Sequence, residues 1–240
     1  MAVSQAEALE RLIVEVSARK ARGTTPVVVF DLDDTLFTTS HRNLRILKEF
    51  AGRPETRTAW VREAAALARL GPADLRYAIV DSAKAAGVEH SGLLEELRGF
   101  WFSRFFQNEY LLTDEPLPGA AEYCEAVAKA GARVVYLTGR DESMRDGTER
   151  SLARHAFPSA ETTLILKPRF DTPDLAFKTE ALARLPALGS VTGAFENEPL
   201  HVNLFHAAFP DALMYLLETK HSGKPVAPHP SALRLKDFRR

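Results

Sequence analysis

Three aspartates stand within four residues of one another, at Asp31, Asp33 and Asp34, directly after the apolar run Val27-Val28-Val29-Phe30. Two like charges about 4 Å apart repel by roughly 4 kcal/mol at an effective dielectric constant near 20. A chain tolerates such a cluster when a cation, a shared proton or catalysis requires it. Because side chains alternate along a strand, Asp31 and Asp33 could point to the same side. A polar loop or helix cap is the alternative, but the whole block favours a functional site.

The apolar run before these aspartates has no polar alternation, which is typical of a strand covered on both faces in a parallel sheet. Similar runs occur at 133–137, 163–166, 190–195 and 212–217. Helical patterns occur at 4–21, 120–130, 143–155, 175–185 and 200–207. Alternation of strands and helices predicts an α/β fold, a doubly wound, Rossmann-like parallel sheet.

Residues 38–116 interrupt this alternation with helical periodicity alone. An all-helical segment inserted after the first strand predicts a cap domain above the carboxyl edge of the sheet, where ligands bind in such folds. We therefore expect an α/β core domain from 1–37 and 117–240 and a helical cap domain at 38–116. The proline-rich tail after Thr219 is expected to be an extended or partly ordered surface segment.

The composition is that of an ordinary globular protein, with 31 basic and 32 acidic residues and a net charge of −1. This balance gives no electrostatic reason to expect nucleic acid or an anionic membrane as a partner. Cys124 is the one cysteine, so no internal disulfide forms, and the seven histidines show no zinc spacing, which leaves His201 a surface or core role. The N-terminal residues lack the apolar core of a signal peptide, and we expect a cytoplasmic protein.

The block from Val27 to Leu36 resembles the first motif of the haloacid dehalogenase (HAD)-like hydrolases. Three further motifs of that family follow in order: a strand that ends at Thr138, then Lys178, then a strand that ends in acids at residues 196–198. They lie 107, 40 and 18 residues apart, so the resemblance covers most of the chain. The helical insertion after the first motif resembles the cap of family members that act on small phosphorylated metabolites.

The resemblance implies phosphoryl transfer through an aspartyl-phosphate. Asp31 is then the nucleophile, and Asp33 protonates the leaving oxygen, for which its pKa must be raised by neighbouring negative charge. Thr138, with the backbone N–H groups that open a following helix, would hold phosphate oxygens, and Lys178 would neutralise the nucleophile. The substrate-binding residues implied here are Thr138, Gly139 and Arg140; a surface salt bridge is the alternative for Arg140.

The implied metal is Mg²⁺, bound by the Asp31 side chain, the Asp33 carbonyl oxygen and Glu196. The fourth motif departs from the usual aspartates of the family, because it reads Glu196-Asn197-Glu198, so Glu198 remains an alternative ligand. The third motif is also open, since Lys167 with the following proline resembles another form of the motif lysine.

Taken together, the motifs predict a magnesium-dependent phosphatase that hydrolyses a small phosphorylated metabolite. Asp33 disfavours dehalogenation, because the dehalogenase branch usually lacks an acid at that position. Two alternatives remain: phosphoryl transfer to a sugar or nucleoside acceptor, and a catalytically silent phospholigand-binding protein, which the unusual fourth motif suggests.

Overall fold

A computed structural model describes residues 4–240, which fall into two compact units. The first unit contains the chain up to Phe37, Pro116–Arg145 and Leu152–Arg240. The second contains Thr38–Glu115 and Asp146–Ser151. Within the described residues, no helix is long and apolar enough to cross a membrane.

The first unit is built on a six-stranded sheet of order β5-β4-β1-β6-β7-β8, in which every neighbouring pair is parallel. The strands are β1 (Pro26–Phe30), β2 (Phe37–Thr38), β3 (Glu115–Pro116), β4 (Arg133–Asp141), β5 (Thr163–Lys167), β6 (Ser190–Glu196), β7 (Leu213–Leu217) and β8 (Leu233–Leu235). Strands β2 and β3 form a separate two-stranded sheet. The predicted α/β fold with a parallel sheet is confirmed.

Helices of the first unit cover both faces of the sheet, with α1 and α8 on one face and α10 and α11 on the other. The helices of the described residues are α1 (Gln5–Ala21), α2 (Ser40–Gly52), α3 (Pro54–Ala59), α4 (Val61–Ala68), α5 (Ile79–Ala85), α6 (Ser91–Phe105), α7 (Asn108–Leu111), α8 (Ala120–Lys129), α9 (Arg145–Arg154), α10 (Asp174–Arg184) and α11 (Pro199–Ala208). Alternate residues of β1 enter two different cores: Val28 and Phe30 pack with residues of α1 and α8, whereas Val27 and Val29 pack with residues of α10 and α11. This division explains why the strand is apolar throughout.

The C-terminal residues differ from the surface tail that the prolines predict. Residues 233–235 form β8, the sixth strand, and the side chains of Leu235 and Phe238 are buried. The segment is also tied to α1, because Gln5 Nε2 donates a hydrogen bond to Asp237 Oδ1 at 2.7 Å. A strand of three residues among prolines carries too little pattern to be predicted from sequence.

The second unit contains a hydrophobic core of its own, in which residues such as Leu47, Phe50 and Leu97 are buried. Beside it lies an ion pair between Arg42 and Asp114, whose side chains are both fully buried. The Arg42 guanidinium donates to both carboxylate oxygens and stacks over the Phe105 ring at 4.3 Å. The role of this helical unit as a cap stays a prediction.

Candidate active site

Three residues from separate sequence motifs lie in direct contact in the first unit. Lys178 Nζ donates to Asp31 Oδ1 at 3.0 Å and also to Glu196 Oε1. All three side chains are almost fully buried. The residues are 147 and 18 positions apart in the chain, so the contact depends on the fold.

The sheet explains this contact. Phe30 at the end of β1 pairs with Phe195 of the parallel strand β6, and the Asp31 amide donates to the Phe195 carbonyl at 3.1 Å. Asp31, which directly follows β1, and Glu196, the last residue of β6, therefore lie side by side at one edge of the sheet. Lys178 reaches them from α10, which covers the face of the sheet.

One lysine contacts two buried carboxylates, and burial together with these charges shifts the pKa values of all three groups. Burial, followed by the negative charge of Glu196, raises the pKa of Asp31 to about 7 despite the attraction of Lys178. Burial also raises the pKa of Glu196, but Lys178 and then His201 outweigh it and hold that pKa at about 2. Burial lowers the pKa of Lys178, yet the two carboxylates raise it well above its ordinary value. The group thus holds a charged Glu196–Lys178 pair and an incompletely neutralised Asp31.

Backbone groups satisfy the second oxygen of Glu196. Its Oε2 accepts hydrogen bonds from the amides of Asn197 and Glu198 at 3.1 and 3.3 Å. His201, in the first turn of α11, places Nδ1 at 3.3 Å from Oε1 of Glu196, within reach but off the direction of a hydrogen bond. His201 therefore lies against the site, which its position in the sequence did not reveal.

Asp33 has a basic partner in addition to its acidic neighbour Asp31, whose pKa its charge helps to raise. The Arg140 Nη2 atom lies 2.6 Å from Asp33 Oδ1, and Nε lies 3.3 Å from both carboxylate oxygens. The Arg140 side chain is 1% exposed. Arg140 therefore forms neither a surface salt bridge nor a free anion site in this conformation; it stabilises the charged form of Asp33.

Thr138 joins the site through Arg140, since its hydroxyl accepts the Arg140 backbone N–H at 3.3 Å. The helix that follows Thr138, predicted at 143–155, is α9; β4 continues to Asp141 and α9 begins at Arg145. The pairing of β4 with β5 shifts register between Leu137 and Asp141, which accommodates the longer strand.

Gly139 packs closely against the start of α10. A Cβ atom at this position would lie 3.3 Å from Oδ1 of Asp174, in the first turn of that helix. The same Asp174 oxygen accepts a hydrogen bond from Lys167 Nζ at 2.8 Å. Lys167, the alternative motif lysine, thus binds Asp174, whereas Lys178 binds Asp31.

The alternative acid, Glu198, is directed toward another part of the first unit. Its two carboxylate oxygens accept hydrogen bonds from the backbone N–H and the hydroxyl of Ser222, at 2.6 and 2.8 Å. The acid that contacts Lys178 beside Asp31 is therefore Glu196.

The donor set is suited to a hard divalent cation. Asp31 and Glu196 offer buried carboxylate oxygens, and burial, followed by the negative charge of Glu196, raises the pKa of Asp31 despite the attraction of Lys178. Residues 4–240 contain no group of three or more His, Cys, Asp or Glu side chains arranged to hold a metal ion. Mg²⁺ fits such a site, since it commonly takes one or two carboxylates and completes its shell with water and substrate phosphate.

Comparisons with known proteins agree with this fold. The family profile of the haloacid dehalogenase-like hydrolases matches residues 25–202. A proposed phosphatase from Clostridium difficile has 11% identity and a TM-score of 0.53, covering 82% of this chain and 87% of its own. A HAD-superfamily hydrolase of subfamily IA from Geobacter sulfurreducens has 16% identity and a TM-score of 0.51, covering 90% and 93%.

A dehalogenase captured with an intermediate is also similar in structure, with 13% identity, a TM-score of 0.50 and coverage of 90% of this chain and 94% of its own. A search of curated proteins finds no significant match to the chain. At these identities the structural likeness establishes the fold alone, so the reaction must be argued from the side chains.

Proposed function

Because the chain belongs to the haloacid dehalogenase-like hydrolase family, we propose that it is a magnesium-dependent phosphatase that hydrolyses a small-molecule phosphomonoester through phospho-Asp31. The observation that carries this proposal is the buried contact of Asp31, Lys178 and Glu196 at the carboxyl ends of β1 and β6. Family members in general use a divalent metal, and Mg²⁺ is the ion that these oxygen donors favour.

In the first step a carboxylate oxygen of Asp31 attacks the phosphorus atom, and the bond from phosphorus to the ester oxygen breaks. Lys178 holds Asp31 at Oδ1, while the Thr35 hydroxyl donates to Oδ2 at 2.9 Å. These two contacts orient the carboxylate. Their positive and dipolar charge also reduces the repulsion between the carboxylate and an anionic ester.

Asp33 is placed two residues from the nucleophile, where it can donate a proton to the leaving alkoxide and later accept one from the attacking water. The Arg140 ion pair stabilises ionised Asp33, so a proton must reach this carboxyl when substrate is bound. An anionic phosphate group offers Arg140 a second partner of the same bidentate type. Transfer of the guanidinium to the phosphate would release Asp33 for proton donation.

Mg²⁺ would be held by the Asp31 carboxylate, the Asp33 carbonyl oxygen and Glu196. When bound, it would supply positive charge that offsets the repulsion among the carboxylates and the phosphate. Thr138, Gly139 and Arg140 remain the proposed substrate-binding residues.

The test is phosphate release from a chromogenic phosphomonoester by the purified protein with Mg²⁺. We expect turnover that a chelator abolishes, that added Mg²⁺ restores, and that Asp31→Asn lacks. Thr179→Val, a change on the exposed face of α10 that removes a hydrogen bond to Leu175, is the matched control and should retain full activity.

A parallel assay with a 2-haloacid should show no halide release. Halide release, or an inert protein across a broad panel of phosphorylated metabolites with Mg²⁺, would contradict the proposed reaction.

A further inference from the structure

A short loop after β7, residues 219–222, contacts the segment that follows the nucleophile; we call it the clamp loop. The Thr219 hydroxyl donates a hydrogen bond to the carbonyl oxygen of Asp34. The Lys220 ammonium lies 3.5 Å from the Asp34 carboxylate. Asp34 itself has φ = 55°, in the left-handed region, so its turn depends on such support.

The clamp loop also contacts the fourth motif. Ser222 donates its backbone N–H and its hydroxyl to the two carboxylate oxygens of Glu198. Asn197 Nδ2 donates to the Lys220 carbonyl oxygen at 2.6 Å. One loop therefore binds both acid-bearing segments of the site, and each of these bonds involves at least one side chain.

Asn197 connects the clamp loop to the nucleophile. Since a carbonyl oxygen only accepts hydrogen bonds, the Asn197 amide must direct its N–H to Lys220 and its oxygen inward. That oxygen lies 3.3 Å from the Thr35 hydroxyl, which donates to Asp31 Oδ2 at 2.9 Å. Both Asn197 and Thr35 are buried. A continuous polar chain thus runs from the clamp loop to the reacting carboxylate.

We propose that Asn197 is a positioning residue for the phosphoryl-transfer reaction, which fixes Asp31 by holding the clamp loop with one end of its amide and Thr35 with the other. The inference rests on the proposed function for its catalytic consequence. It assigns a role to Asn197, the residue of Glu196-Asn197-Glu198 that is not an acid.

The chemistry of the contacts explains why this position carries an amide. An aspartate of the same shape would set a carboxylate oxygen against the Lys220 carbonyl oxygen and lose the 2.6 Å hydrogen bond. The single Thr35 proton is shared between Asp31 at 2.9 Å and the Asn197 oxygen at 3.3 Å, and a charged oxygen at residue 197 would draw it away from Asp31 more strongly than the amide oxygen does. Finally, the aspartate would add a third negative charge beside Asp31 and Glu196, which already share the one ammonium group of Lys178.

Asn197→Asp is therefore the informative variant, and Asn203→Asp is its matched control. Asn203, further along α11, likewise donates Nδ2 to a carbonyl oxygen of the C-terminal segment, that of Ala227, at 2.9 Å. We expect Asn197→Asp to lower kcat by roughly 10- to 100-fold, as for a misplaced reacting group, with KM within about twofold of the wild type. Asn203→Asp should leave both parameters within about twofold.

Hydrogen exchange of the metal-free proteins gives a readout that needs no turnover. Asn197→Asp should speed exchange of the amides of residues 31–37, and Asn203→Asp should not. Thr219→Val, which keeps the side-chain shape but removes the bond to Asp34, should speed exchange of the same segment independently.

Several outcomes would overturn the inference. One is an Asn197→Asp protein with unchanged kcat and unchanged exchange at 31–37, and another is an equal fall of kcat in both Asn→Asp variants. The third is a gain of activity in Asn197→Asp at a lower Mg²⁺ concentration, which would place residue 197 among the metal ligands. A wild-type protein that releases no phosphate would refute the proposed function, and the exchange experiment would still decide the positioning role.

Discussion

Asp31→Asn should make the metal-free protein more stable at pH 8, although it removes the proposed nucleophile. Burial and the charge of Glu196 raise the pKa of Asp31 from 3.8 to about 7. A carboxyl whose pKa is higher in the folded state favours folding while it is protonated, and this contribution disappears as the pH rises through 7. At 1.36 kcal/mol per pH unit, the ionised Asp31 costs roughly 4 kcal/mol above pH 7.

An asparagine avoids that cost but weakens the hydrogen bonds from Lys178 and Thr35. We therefore expect Asp31→Asn to increase the free energy of unfolding by about 2–4 kcal/mol at pH 8, and by less than half as much at pH 5. Urea unfolding with a chelator present, followed at both pH values, measures this difference. Added Mg²⁺ should then stabilise the wild type more than the variant, since ligand binding to the folded state adds stability.

Asp237→Asn is the matched control with the opposite sign. Burial raises the pKa of Asp237, but hydrogen bonds from Arg239 and Gln5 outweigh it and lower that pKa. This carboxyl stabilises the fold above its unfolded pKa, and the stabilisation is lost in acid. Asp237→Asn should therefore lower stability at pH 8. If Asp31→Asn also lowered stability at pH 8, or changed it equally at pH 8 and pH 5, the assignment of uncompensated charge to Asp31 would be wrong.

Two further predictions concern the other ion pairs. Arg140→Lys keeps a positive charge but loses the bidentate guanidinium that would transfer from Asp33 to the phosphate, so we expect kcat to fall by roughly 10²-fold, at the low end of what a general acid contributes. Steady-state kinetics with unchanged turnover would refute this role. Arg42→Leu leaves Asp114 buried without its partner and should lower the free energy of unfolding by about 3–5 kcal/mol. The double variant with Asp114→Leu should recover most of that loss in urea unfolding, and a double variant as unstable as the single one would contradict the reasoning.

The sequence was informative about the elements that bury apolar residues. The uninterrupted run at Val27–Phe30 predicted a strand buried on both faces, and β1 is the central strand between β4 and β6. The parallel arrangement then brings the ends of β1 and β6 to one edge, where Asp31 and Glu196 lie side by side. Lys178, 147 residues from Asp31, reaches them from α10. Periodicity and motif spacing are enough for such conclusions.

The hydrogen-bond and ion-pair partners of side chains were harder to predict from the sequence, because they depend on strand register and on loop conformation. Whether Arg140 binds Asp33 depends on how far β4 extends beyond Thr138, and a strand end that bears glycine and charged residues has no apolar signal. The role of Asn197 depends on the backbone carbonyl of Lys220, and a carbonyl leaves no trace in the amino-acid sequence. Strand β8 was missed because Leu233–Leu235 is too short to show a period.

The link between Gln5 and Asp237 has a consequence for how the protein is made. The two residues are 232 positions apart, and at ribosomal speeds of 5–20 residues per second this separation takes roughly 10–50 s to synthesise. After α1 has left the ribosomal tunnel, it therefore remains without its contacts to β8 and Asp237 until those residues have been synthesised. In the meantime the contiguous helices encoded between Thr38 and Glu115 can fold cotranslationally, while the parallel sheet is completed only after the strand residues at 233–235 have emerged.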